Sequence, residues 1–151
     1  MGLKLKMEID KAISAIDKIE ADVEKAIFES YVQEGKYLAD LTRNRSEEES
    51  WYDQTGNLRS SIGYVVSKNG VVKSISDFSD GTEGSKKGEE VAKDVALESP
   101  GWALNLVAGM EYAEYVERIE GKNVLASARA KMIEDVPTIA RRIKERIEKG
   151  K

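Results

Sequence analysis

Glu111, Glu114, Glu117 and Glu120 recur every third residue. Carboxylate pairs do acid–base work in glycosidases and hold divalent cations in metal-assisted nucleases. Here Tyr112, Tyr115 and Val116 are interleaved with them, and on a helix that pattern makes a solvated acidic face beside an apolar one. Gly81, Gly84 and Gly88 stand beside Lys86-Lys87, the materials of a phosphate cradle. The P-loop order of two glycines with four residues between them, then Lys and Ser or Thr, does not occur. Asp77, Asp80 and Glu83 supply oxygen ligands, but the glycine is misplaced for a calcium loop and no glutamate closes twelve residues. Arg141, Arg142, Lys144, Arg146, Lys149 and Lys151 could touch phosphates. Glu145 and Glu148 dilute them, and the same bias suits the negative end of a helix dipole. There are no histidines and no cysteines. Ser-His and Cys-His catalysis, disulfides and zinc sites are thereby excluded. The expectation is a protein that is not an enzyme, with no metal site and no cofactor.

The totals bound the class. The 151 residues suit a single domain spanning 1–151. Net charge is −4, yet residues 129–151 carry eight Lys/Arg against four Asp/Glu, leaving −8 on the rest. An acidic total argues against a dedicated nucleic-acid binder. No apolar run approaches the roughly 18 residues of a membrane span. The opening Met1-Gly2-Leu3-Lys4-Leu5-Lys6 is too short and charged for a secretory signal, and Lys6 stands where myristoylation needs Ser or Thr. A soluble protein folding in a reducing cytoplasm is predicted.

The elements that must position these residues follow from periodicity. Ile9, Ile13, Ile16, Ile19, Val23, Ile27, Tyr31, Leu38 and Leu41 make one stripe on a helix from about Met7 to Arg43. Its length of roughly 55 Å exceeds a small domain's width, so one end of the 1–45 segment projects or meets a partner. Gly35 is a point where it can bend or stop. Residues 44–57 read as loop, with Trp51 and Tyr52 tucked beneath the acidic run Glu47–Glu49. Asn69-Gly70 predicts a type I′ hairpin turn. That turn would pair Lys68 with Val71, Val66 with Lys73, Tyr64 with Ile75 and Ile62 with Asp77. Ile62, Tyr64, Val66, Val71 and Ile75 would then share the more apolar face. Residues 78–90 read as a mobile glycine-rich loop, 89–98 as a short helix, and Trp102–Gly109 as a third strand. A short helix is expected over Tyr112–Ile119. A last helix over 124–149 keeps Leu125, Ala128, Met132, Val136, Ile139, Ile143 and Ile147 in phase across Pro137, where it should kink. The order predicts an α+β fold: a long N-terminal helix, a small antiparallel sheet of a hairpin plus at least one strand, short helices and a long C-terminal helix.

Three segments then fall in a familiar order. Thr55-Gly56-Asn57-Leu58-Arg59-Ser60-Ser61-Ile62 precedes the hairpin. Gly109-Met110-Glu111-Tyr112-Ala113-Glu114-Tyr115-Val116-Glu117 follows the third strand. Leu125-Ala126-Ser127-Ala128 opens the last helix. Over roughly residues 52–135 this resembles the tail-completion (head–tail joining, neck) proteins of long-tailed phages. That family looks like T-G-x-L-(R/K)-x-S-I, a strand, Y-A-x-Y-V-E-x-G, then a helix opened by leucine and small residues. Two departures are visible. Arg118-Ile119-Glu120-Gly121 replaces an aromatic and Gly-Thr, and Asn123-Val124-Leu125 lacks the usual proline and phenylalanine.

The resemblance implies a structural virion protein that forms a ring, often of six copies, between head connector and tail. Its partners would be connector or adaptor proteins, tail proteins and further copies of itself, with no specific nucleic acid and no membrane. It would be located in the virion neck, and in the bacterial host cytoplasm during assembly. The motif positions carried over, in structural roles, are Thr55, Gly56, Leu58, Arg59, Ser61, Ile62, Gly109, Tyr112, Ala113, Tyr115, Val116, Glu117, Leu125 and Ala128. Asp80, Gly81, Glu83, Gly84, Lys86 and Lys87 are the candidate assembly loop. Two rival readings stand beside this one: a helical protein-interaction adaptor, and a carboxylate- or metal-dependent nuclease-type enzyme.

Overall fold

A computed structural model describes residues 2–44, 56–110, 113 and 124–150, with side chains from residue 13 onward. Helix α1 (Gly2–Arg43) leads through a single turn, α2 (Asn57–Ser60), into strand β1 (Ile62–Lys68). Strand β2 (Val71–Ile75), helix α3 (Glu83–Glu98), strand β3 (Trp102–Ala108) and helix α4 (Ala126–Lys149) follow. The sheet is antiparallel in the order β2-β1-β3. The α+β expectation therefore holds, with the two long helices packed on each other. Among the described residues no helix is long and apolar enough to cross a membrane. The readings of Trp51, Tyr52, the acidic run and a helix over 112–119 lie outside the described residues.

β1 is the centre of the molecule. Ile62 to Ser67 are all buried because both faces of the strand are covered. Tyr64 and Val66 pack under α1 with Phe28, Tyr31, Val32 and Ala39. Val65 packs the other way, with Phe78, Val107, Ala92 and Ala96 beneath α3. The sequence pattern suggested one dominant apolar face. A strand between two helical layers needs apolar residues on both, which is why Val65 and Val66 stand side by side.

The turn itself is as predicted, with Asn69 and Gly70 both at positive φ (51° and 83°). Lys68 pairs with Val71, but a bulge between Val66 and Ser67 shifts the rest of the register. Val66 then opposes Ser74, and Val65 opposes Ile75. An extra residue on one strand moves every later partner by one position. The predicted pairs Val66–Lys73 and Tyr64–Ile75 are therefore replaced, and Val71 is 58% exposed rather than on a buried face.

α1 runs unbroken through Gly35, contrary to the bend considered there. A Cβ at that position would lie 2.7 Å from the Tyr64 ring and 2.9 Å from Leu104. The glycine lets the helix backbone press onto the sheet, and packing outweighs its weak helix propensity. α4 likewise continues across Pro137 as one helix. It lies antiparallel to α1: Arg142 meets Glu34 at 3.6 Å, Arg146 meets Glu29 at 3.7 Å, and Gly150 lies against Asp22. Two arginines of the basic run are thus spent on α1.

Candidate assembly site

The three segments that carry the family resemblance meet in space. Leu58 of α2, Ile62 at the start of β1, Ala113 and Val124 form one buried cluster, with Ala108, Met110 and Leu125 packed against it. Leu58 and Ile62 are a helical turn apart in sequence and are 1% and 0% exposed. Gly56, at φ 75°, supplies the left-handed step that turns the chain into α2. The Ser61 hydroxyl donates to Leu58 O at 2.7 Å, and Gly109 N–H donates to Ser61 O at 3.1 Å, so the first and second segments share a backbone bond. Arg43 Nε donates to Ile62 O at 2.7 Å, and Arg59 donates to Arg43 O, so the end of α1 is tied to the same turn. Ala128 is fully buried. Thr55, Tyr112, Tyr115, Val116 and Glu117 lie outside the described residues.

The mobile loop expected over 78–90, which holds the six candidate assembly residues, is irregular only as far as Thr82. From Glu83 onward it is helix α3, and Asp80 and Gly81 alone of the six candidates precede its cap. Thr82 caps the helix, its hydroxyl accepting from Ser85 N–H at 3.1 Å. Asp80 accepts from Thr82 N–H at 3.0 Å and from the Thr82 hydroxyl at 2.7 Å. Hydrogen bonds from Ser85 first, then from Thr82, hold its carboxyl down at about 2. Gly84 is buried, Lys87 half-buried, and Glu83 and Lys86 exposed. The surface that could dock a partner is therefore one helical face, not a pliable loop.

The glycines have a packing role that the sequence reading missed. Gly84, Gly88, Ala92 and Ala96 recur every fourth residue and all are buried in α3. A Cβ on Gly84 would fall 2.1 Å from Asn57 O, and one on Gly88 2.6 Å from Ser61 O. A Cβ on Gly109 would meet the same helix, 2.5 Å from Gly88 N. Gly84 N–H also donates to Asn57 Oδ1 at 3.2 Å. Helix α3 thus lies backbone to backbone on the motif cluster. The signal was four-residue spacing of small residues, obscured by neighbouring lysines and glutamates.

Chemically, the cluster is apolar, and among the described residues its members offer no proton-transfer group. Beside it a small polar cleft of about 210 Å³ is lined by Arg43, Arg59, Ser60, Asp77, Asp80 and Ser85. Among the described residues no group of three or more acidic side chains is placed to hold a metal ion. The other notable carboxylate, Glu34, is buried between α1 and α4 at 1% exposure. Burial first, then the hydrogen bond and charge of Asp135, push it up to about 7, while Arg142 and Lys131 pull the other way. Asp135 is lowered, first by the hydrogen bond it shares with Glu34 and then by Lys131.

No protein-family model, no curated protein and no solved structure matches this chain.

Proposed function

We propose that the protein is a structural module of a long-tailed phage neck, joining head connector to tail as a ring of identical copies. The observation that carries the reading is the meeting of the three motif segments in one cluster. Residues that recur in a family's order for a structural reason should build a common piece of architecture, and Leu58, Ile62, Ala113 and Leu125 gather in one. A conduit for DNA benefits from weak affinity for phosphate, since each Lys or Arg that neutralises one adds sequence-independent binding. The net charge of −4 suits that role. Arg142 and Arg146 are turned onto Glu34, Glu29 and Gln33 instead of outward, which lowers the basic surface further.

The test is co-sedimentation of purified protein with connector-capped, DNA-filled heads of the phage or prophage that encodes it. Saturable binding at a small fixed number of copies per head is expected. Equal binding to heads that lack the connector would refute the neck role.

The adaptor reading has one observation in its favour, the exposed isoleucines near the start of α1. It predicts that residues 1–45 alone capture the partner, whereas the neck role needs the folded sheet.

A further inference from the structure

Two apolar surfaces have no covering partner among the described residues. The first is a stripe on α1, where Ile13, Ile16 and Ile19 are 52%, 56% and 57% exposed. α4 ends against Asp22, so this part of α1 extends past the helix that covers the rest of the seam. The second is a groove with Tyr31 of α1 as floor, Trp102 and Leu104 of β3 as one wall, and Met132, Ile133 and Val136 of α4 as the other. Its two lobes, about 690 and 360 Å³, share Leu104 and Met132 and run into each other. Ile133 is 67% and Val136 56% exposed.

We propose that this groove receives the N-terminal end of α1 from a second copy of the chain. A copy cannot fill its own groove with this stripe. α1 is one continuous helix that itself forms the groove floor, and Ile19 lies about 18 Å along it from Tyr31. Bringing the stripe back would mean breaking the helix. A second copy meets no such obstacle, and the dimensions agree. Ile13 to Ile19 spans about 9 Å of helix, within the roughly 13 Å of strand from Trp102 to Leu106. Helix-in-groove docking reads apolar anchors at three- and four-residue spacing, and Ile13, Ile16 and Ile19 stand at three-residue steps. The charges agree as well. Asp17 and Glu20 border the stripe, and Arg129 lines the groove.

The knob and the hole are different parts of one chain, so the contact is head to tail. Such contacts close into rings when the rotation allows. Ring closure rests on the proposed neck role; the helix-in-groove contact does not.

The absence of cysteine makes the test direct. Single variants Ile16→Cys and Ile133→Cys, both at exposed positions, are mixed under mild oxidation. The expected product is a mixed disulfide dimer in severalfold excess over either homodimer. Ile16→Asp should sediment as a monomer where the native chain associates, with unchanged circular dichroism and melting temperature. Predominant Ile16→Cys homodimers would mean that the α1 ends pair with one another, and would overturn the proposal. So would a chain that stays monomeric at millimolar concentration and gives no mixed product. A mixed disulfide without binding to heads would keep the contact and remove the neck role. Binding to heads without the mixed disulfide would do the reverse.

Discussion

Replacing Glu34 with glutamine should stabilise the protein at neutral and alkaline pH and leave it nearly unchanged in acid. Glu34 sits in the α1–α4 seam at 1% exposure, and its carboxyl is pushed from the usual 4.5 up to about 7. The folded chain therefore prefers the neutral acid. A raised carboxyl contributes stability that is full below about 4.5 and is lost as pH rises through about 7. A shift of about 2.5 units corresponds to about 3 kcal/mol. Asp135 opposes part of this trend in the native chain: its lowered pKa contributes stability present above its unfolded value and lost as pH falls through its folded one. The difference between variant and native chain removes that background. Glutamine keeps the shape and retains an N–H to donate toward Asp135, so its stability should not titrate at this site.

The assay is urea unfolding followed by circular dichroism at half-unit steps from pH 4.5 to 8.5. Glu34→Gln minus native should grow from near zero to about 3 kcal/mol in favour of the variant, with m-values unchanged. A difference that stays flat with pH would refute the assignment of a neutral buried acid. A variant less stable than native at pH 8 would show that the pair with Arg142, 3.6 Å away, outweighs burial.

Other perturbations test the packing. Leu58→Ala should cost about 2–5 kcal/mol, because Leu58 is 1% exposed and its removal leaves a cavity in a buried cluster. Leu58→Asp should abolish folding and assembly together; a stable, assembly-competent Leu58→Asp protein would show that the cluster has been misread. Gly84→Ala should lower stability by about 1–3 kcal/mol despite its better helix propensity, since the new Cβ meets Asn57 O at 2.1 Å. Lys86→Ala, on the exposed face of the same helix, should change stability by less than about 0.5 kcal/mol in the same melt. Gly35→Ala should also destabilise, by about 1–3 kcal/mol, because the Tyr64 ring has to move.

Long periodic signals carried most of the fold. The stripe from Ile13 to Leu41 and the phase kept across Pro137 both identified single helices, and Asn69-Gly70 identified its turn. What failed was local and tertiary. The bulge at Val66–Ser67 leaves no mark in an alternating pattern, so the register came out one residue wrong beyond it. Gly84 and Gly88 weaken a helix by propensity, and only the backbone of α2 and β1 against them explains why α3 contains them. In sequence Glu34 is one of many carboxylates on α1. Its burial depends on α4, whose approach no local window contains. Of the candidate site, the motif order pointed to Leu58, Ile62, Ala113 and Leu125, and these do gather around one core. The lysines and glutamates of 83–90 pulled that segment toward a loop that does not exist beyond Thr82.

The central claim is a ring at the junction of head and tail. It is tested most directly by electron cryomicroscopy of connector-capped heads mixed with the purified protein. The account predicts added ring density at the portal vertex, built of copies in which the start of α1 enters the neighbour's groove. An unchanged portal vertex, with no association with tail proteins, would contradict it.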